Sequence, residues 1–264
     1  MLRQKITDGE VVLGTMISEI GYPNILRIMK NGGFEFVIID GEHGPFDLTQ
    51  FAAMVALGNS IGLDVLIRIP GIDRGMITKL LDMGADGFLV PMVNTVEEAE
   101  RLVQYSKYAP MGKRGISTTR AHTNYNPPKL SEYMEQANKK TVLLAQIETE
   151  EAVENVEKIA AVPGIDVLIV GPSDLSSDLG DPGNLKSEKL LECVEKVAKA
   201  AEKYGKRSGT VSANLQYLRA CQKVGMTVFN KGSELGMLLS GAKQQVKSFW
   251  EEETDKCLFV NTKN

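Results

Sequence analysis

With 264 residues, 43% of them hydrophobic and 24% charged, the chain can fill one large α/β domain and is too apolar for a disordered protein. A net charge of −4 argues against nucleic acid or an anionic membrane surface as the main partner. The opening MLRQKITDGE has no apolar signal-peptide core and no stretch approaches a membrane span, so a cytoplasmic protein is expected.

Short apolar runs alternate with amphipathic stretches along the chain. Strands are expected at Val11–Met16, Phe34–Asp40, Asp64–Ile69, Gly87–Val93, Thr141–Glu148, Asp166–Gly171, Lys206–Val211 and Met226–Lys231. Each is mostly Val, Ile, Leu and Phe, as parallel strands buried on both faces require. Helical patterns include Thr95–Tyr108, Glu150–Ala161 and Ser187–Tyr204. This alternation predicts a (β/α)8 TIM barrel, with residues 1–264 forming one domain. An open doubly wound sheet is the alternative, but no G-x-G-x-x-G follows the first strand, where Gly14 lies.

Two segments depart from the repeat. Ala109–Lys140 is a long connection carrying Pro127-Pro128, and long loops in compact domains are more often functional or interfacial than idle. Glu234–Glu252 reads as a helix bearing Leu235, Leu238, Leu239, Val246, Phe249 and Trp250, longer than barrel closure needs. Part of it is expected to pack on another subunit. The cysteines Cys193, Cys221 and Cys257 form no C-x-x-C pair and are expected as free thiols.

Barrel enzymes carry their chemistry at the C-terminal ends of strands. There the second strand runs into Asp40-Gly41-Glu42-His43, the third carries Arg68, the fifth ends Gln146-Ile147-Glu148, and the sixth enters Gly171-Pro172-Ser173-Asp174. Charged groups beside apolar strands are costly to bury without a partner or a metal. Glu148 and Asp174, on adjacent strand ends, suit a shared hard divalent ion such as Mg²⁺ or Mn²⁺, with Co²⁺ also acceptable. The structural alternatives are a Glu148–Arg68 ion pair and Asp174 as a helix N-cap. His43 follows Asp40 by three residues, so a turn would set the carboxylate on one ring nitrogen and ready the other as a general base. Otherwise His43 is a loop histidine. Arg68 offers a fork for a carboxylate or enolate oxygen, or a structural ion pair with Asp40 or Glu42. The turn Gly171-Pro172-Ser173-Asp174 is expected to present the backbone N–H groups of Ser173 and Asp174 to an anion at a helix start, a weak signal by itself because such turns are common. His122, in a polar loop, is read as a surface or interface residue.

At these residues the chain resembles the HpcH/HpaI aldolase family, the metal-dependent (class II) pyruvate aldolases. The segments that carry the resemblance are Ile39–Pro45 (IDGEHGP), Leu89–Val93 (LVPMV), Gly112–Gly115 (GKRG), Gln146–Thr149 (QIET) and Gly171–Ser176 (GPSDLS). The resemblance implies a carbon–carbon lyase that cleaves a 4-hydroxy-2-oxo acid to pyruvate and an aldehyde through a metal-stabilised enolate. It implies Glu148 and Asp174 as metal ligands, His43 as acid/base with Asp40 as its partner, and Arg68 on the pyruvate oxygens. It also places Gln146 beside the pyruvate, with the Ser173 and Asp174 backbone on its carboxylate. Hexamers with exchanged C-terminal helices are implied, with Asp82 reaching a neighbouring subunit's site.

Two positions depart from the family pattern: Lys231 stands where relatives carry a small or apolar residue, and Glu234 where they carry Asp. A lysine at the mouth would alter substrate choice, and Schiff-base chemistry would require a desolvated amine. The rival functions are a citrate lyase β-subunit or malyl-CoA type lyase, an oxaloacetate decarboxylase, and a non-catalytic metabolite-binding barrel.

Overall fold

A computed structural model describes residues 2–255; Cys257 lies outside the described residues. The strands are β1 (Val12–Ile17), β2 (Phe36–Asp40), β3 (Asp64–Arg68), β4 (Gly87–Val90), β5 (Val142–Ile147), β6 (Val167–Val170), β7 (Arg207–Val211) and β8 (Val228–Ser233). They form a closed, all-parallel barrel in sequence order, with β8 pairing back onto β1. The helices are α1 (Leu2–Asp8), α2 (Ile25–Asn31), α3 (Leu48–Ile61), α4 (Arg74–Met83), α5 (Val96–Ser106), α6 (Leu130–Lys140), α7 (Glu150–Glu154), α8 (Val156–Ala161), α9 (Pro172–Asp178), α10 (Glu188–Lys203), α11 (Leu215–Lys223) and α12 (Glu234–Asp255).

Strand alternation divides the core in two. Phe36, Ile38, Leu66, Leu89, Leu144, Val167, Ile169 and Val228 fill the barrel, and Leu2 and Ile6 of α1 close its lower end. Their strand neighbours Val37, Ile39, Val65, Ile67, Leu143, Leu168 and Phe229 pack outward with the helices. Burial on both faces is why the runs read as continuously apolar. Gly14 is required by this filling, since a Cβ there would lie 2.4 Å from the Phe36 ring.

The lower rim repeats one device. An acidic residue just before an even-numbered strand accepts an N–H from the preceding odd strand: Glu35 from Leu13, Asp86 from Val65 and Asp166 from Leu143, each at 2.9 Å. Each bond satisfies a backbone donor at a rim where the ladder begins.

The expected and observed elements differ where backbone conformation intervenes. The fourth strand stops at Val90, because Met92 takes a left-handed conformation (φ 53°). The stretch 150–161 is two helices, broken at Asn155 (φ −86°, ψ 0°). The long connection 109–140 is not all loop: it holds a short 3₁₀ turn at Ala121–Thr123 and then α6. α12 projects Leu238, Leu239, Val246, Phe249 and Trp250 into solvent, each more than half exposed. Among the described residues no helix is long and apolar enough to cross a membrane, and Cys193 and Cys221 are free thiols.

Candidate active site

The upper rim gathers the residues singled out from the strand ends. Asp40 and Arg68 are register partners at the ends of β2 and β3. Their side chains meet: Arg68 donates from Nε to Asp40 Oδ1 at 2.9 Å and from Nη2 to Oδ2 at 2.6 Å. Arg68 Nη1 also lies 3.2 Å from Glu42 Oε2. The structural ion pair weighed for Arg68 is therefore present, with both candidate carboxylates. Burial opposes the charged forms of both partners, but the hydrogen bonds and opposite charge prevail, holding Asp40 below and Arg68 above their ordinary values. Three contacts leave two of the five guanidinium N–H groups for a ligand.

The expected contact between Asp40 and the His43 ring is not made. Asp40 Oδ1 accepts the backbone N–H groups of Glu42 (3.1 Å) and His43 (3.2 Å), which shape the turn, while the guanidinium takes the rest of the carboxylate. The His43 side chain is 75% exposed, and its Nε2 lies 3.8 Å from Glu42 Oε2.

Glu148 is buried at the end of β5. Its Oε1 accepts the Met92 N–H at 2.8 Å, and its Oε2 accepts from the Gln146 amide. No ion pair with Arg68 forms within 4 Å, so that structural alternative fails. Gly171 makes room for the carboxylate, since a Cβ there would lie 2.4 Å from Glu148 Oε2. Burial pushes the Glu148 carboxyl above its ordinary range; the Met92 N–H opposes this and the Asp174 charge adds to it. Burial likewise raises Glu42, against the pull of Arg68 and His43 and with the push of Asp40 and Asp174. Asp174 is not an N-cap: Gly171 occupies that position in α9, Pro172 opens the helix, and Asp174 stands exposed in its first turn.

Sequence reasoning missed Met92, whose left-handed backbone aims its N–H at Glu148; a non-glycine in that conformation has no reliable sequence signature. It also left Glu234 unexplained. That buried carboxylate accepts the N–H groups of Ser18, Glu19 and Ile20 at 2.7–3.1 Å, latching the loop after β1 to the start of α12. Lys231 lies where β8 shifts register against β1, and its ammonium makes no hydrogen bond or ion pair among the described residues.

The remaining candidates lie at the other end of the barrel. Asp82, near the end of α4, takes Arg114 Nη2 at 2.7 Å within its own chain. His122 is not a surface side chain: it is 5% exposed and donates from Nδ1 to the Asp82 carbonyl at 3.0 Å. A cavity of about 720 Å³ opens beside them, lined in part by Asp86, Tyr133 and Lys140 and by no upper-rim residue.

The donor set at the upper rim fits a cation. Asp40, Glu42 and Glu148 act on one guanidinium, Asp174 adds its charge to Glu42 and Glu148, and the buried Glu148 is in no ion pair. Gln146 Oε1 beside it is buried without a hydrogen-bond partner. Among the described residues no three His, Cys, Asp or Glu side chains form a ready-made metal cluster, so at most two would ligate together.

The fold is a closed (β/α)8 barrel, an architecture whose enzymes carry their chemistry at the C-terminal strand ends. Comparison with known proteins makes the class specific. The sequence pattern described as HpcH/HpaI aldolase/citrate lyase matches residues 18–241. The 5-keto-4-deoxy-D-glucarate aldolase of Shigella boydii is 34% identical over 233 residues, covering 88% of this chain and 90% of that protein. The crystal structure of the HpcH/HpaI aldolase from Desulfitobacterium hafniense DCB-2 superposes with a TM-score of 0.89 at 33% identity, covering 94% and 96% of the two chains. Citrate synthase SbnG superposes at 0.85 with 26% identity, covering 97% and 99%. The chain belongs to the HpcH/HpaI aldolase/citrate lyase family and is a carbon–carbon lyase.

Proposed function

We propose that the protein is a class II aldolase that reversibly cleaves a 4-hydroxy-2-oxo acid of the sugar-acid type to pyruvate and an aldehyde. The observation that carries the reading is the buried Glu148 carboxylate, in no ion pair, beside Asp174, with Arg68 on the same rim. The aldolase relatives support the sugar-acid class. Glu148 and Asp174 would hold a divalent ion, Mg²⁺ or Mn²⁺ with Co²⁺ also acceptable, which supplies Lewis-acid stabilisation of negative charge on the substrate oxygens.

The chain's own groups divide the remaining work. Arg68, clamped by Asp40, directs its two free N–H groups at the developing oxyanion of the pyruvate half. Ser173 and Asp174 offer first-turn N–H groups of α9, after a proline that has none, to the substrate carboxylate. Gln146 presents its unpartnered Oε1 to the same half of the substrate. His43, exposed and on a short turn, takes the proton from the 4-hydroxyl as the C3–C4 bond breaks. The aldehyde leaves, the pyruvate enolate is protonated at C3, and in condensation the protons move in the reverse sense. Lys231 has no role in this scheme.

Free thiols support a cytoplasmic enzyme. The apolar residues left in solvent on α12 support a homo-oligomer, a hexamer in our reading, in which second copies cover them and Asp82 approaches a neighbour's site. The test is pyruvate release from a panel of 4-hydroxy-2-oxo acids by protein stripped with EDTA and then reloaded with each ion. Turnover should vanish on stripping and return on reloading; full activity of the stripped protein would refute the reading.

A further inference from the structure

The loop that leaves β1 is held by a single side chain. Ser18 donates its N–H to Glu234 Oε1 at 2.7 Å and Oε2 at 2.8 Å, Glu19 to Oε1 at 2.7 Å and Ile20 to Oε1 at 3.1 Å. Successive N–H groups of this kind make a concave anion site, and here the anion is built into the chain. Glu234 is 2% exposed and in no ion pair among the described residues, so the loop's donors stand in for a counter-ion. A change of register delivers the carboxylate. Asn230 of β8 pairs with Gly14 of β1 but Ser233 pairs with Met16, so β8 carries one extra residue. Gly232 absorbs it in a left-handed conformation (φ 62°), and the first residue of α12 arrives level with the end of β1.

The latched loop packs on the segment that carries His43. A Cβ at Gly44, the residue after His43, would lie 2.7 Å from the Ser18 carbonyl oxygen, so the two backbones are in close contact. A Cβ at Gly21 would lie 2.3 Å from Gln50 Nε2 and 3.5 Å from the Phe46 ring. Gln50 belongs to the capping box that opens α3, so the far end of the loop rests just beyond the same turn. Ser18 is the link: its N–H goes to Glu234, and its carbonyl bears on Gly44.

We infer that Glu234 is a positioning residue for the acid/base: through residues 18–21 it sets the place of the turn that carries His43. The inference rests on the aldolase reading above for the role of His43. Glu234 bonds to none of Arg68, Glu148 and Asp174. Loosening the latch therefore moves the group that transfers the proton and spares those that hold the metal and the pyruvate half.

The experiment uses the full chain, loaded with Mn²⁺ for kinetics and metal-free for NMR, at a temperature where circular dichroism shows every variant folded. In Glu234→Gln an amide N–H replaces one acceptor oxygen and faces a loop N–H, so the latch loosens without leaving a space. For the best substrate of the panel above, kcat should fall about tenfold. KM and the inhibition constant of oxalate, an unreactive stand-in for the enolate, should stay within about twofold of the wild type. Glu234→Asp, which keeps the carboxylate, should recover part of kcat. Only two histidines are present, so the His43 ring signals can be assigned with a His43→Asn variant. Glu234→Gln should shift them and leave those of the buried His122, at the other end of the barrel, in place. Wild-type kcat in folded Glu234→Gln, an equal loss of oxalate affinity, or unshifted His43 signals overturns the inference. Wild-type turnover in His43→Asn would instead overturn the role of His43 on which the inference rests, a failure the ring signals distinguish from a latch that does not reach the turn.

Discussion

Asp40 grips Arg68 through both carboxylate oxygens, and the two residues are partners in the β2–β3 register. The pair is nearly enclosed, with side chains 5% and 13% exposed, so removing one member strands the other charge. Asp40→Ala should cost about 3–5 kcal/mol of stability, read by urea denaturation. Because Asp40 is held below its ordinary value, its contribution is complete above the unfolded carboxylate value and fades as pH falls through the lower folded one. Wild-type stability should therefore drop more steeply than that of Asp40→Ala below about pH 4.

Glu148 behaves in the opposite sense. Its carboxyl is raised by burial, so the fold favours the protonated form, and the contribution present at low pH is lost as the group ionises. At pH 7 the metal-free Glu148→Gln protein should melt about 2 °C above the wild type, while the Tm rise that Mn²⁺ gives the wild type should disappear. A variant that melts lower and still responds to Mn²⁺ would remove Glu148 from the binding set. Stability given up at a functional group is a common mark of such sites.

Lys107 is a buried amine whose Nζ donates to the Asn138 and Thr141 carbonyls at 2.7 and 2.5 Å, tying α5 to the end of α6. Burial lowers it to about 8. The neutral amine has two N–H groups for two acceptors, so the clamp survives deprotonation. Between pH 8 and about 10 the unfolded chain holds the proton that the folded one has released, and stability should rise with pH. Above that range the buried Tyr133 and Tyr217, both pushed upward by burial, reverse the trend, because the unfolded tyrosines ionise first. Lys107→Met should flatten the rising limb in a Tm-against-pH series.

Phe249 and Trp250 stack edge to face in solvent, with ring centroids 5.0 Å apart, on the outer part of α12. If second copies cover this face, Phe249→Glu with Trp250→Glu should shift the protein to monomer in light scattering and leave the far-UV spectrum unchanged. A wild-type monomer, or an unaltered oligomer in the double variant, would refute the assignment of this face.

The barrel was legible because its strands are apolar on both faces and repeat at regular intervals; the rim residues were legible because they interrupt those runs at one end. The pairing within the rim was not. Whether Asp40 takes a ring nitrogen or a guanidinium depends on register between β2 and β3, which chain spacing does not encode. The burial of His122 was hidden for a similar reason: its carbonyl partner, Asp82, comes from α4, far away in sequence. α6 escaped notice because it lies within a connection whose prolines and polar residues read as loop.

The acidic residues of Glu35, Asp86 and Asp166 share their chemistry with those of Glu42, Glu148 and Asp174, but lie at the opposite end of the barrel. Below, each of the three accepts a strand amide at the start of the ladder, and acts as a stitch. Above, the carboxylates outnumber the positive groups around them. The barrel is thus polarised by donor supply. Substitutions of Glu35, Asp86 or Asp166 should register as lost folding and those of Glu148 or Asp174 as lost turnover, even though the amino acids replaced are of the same kind.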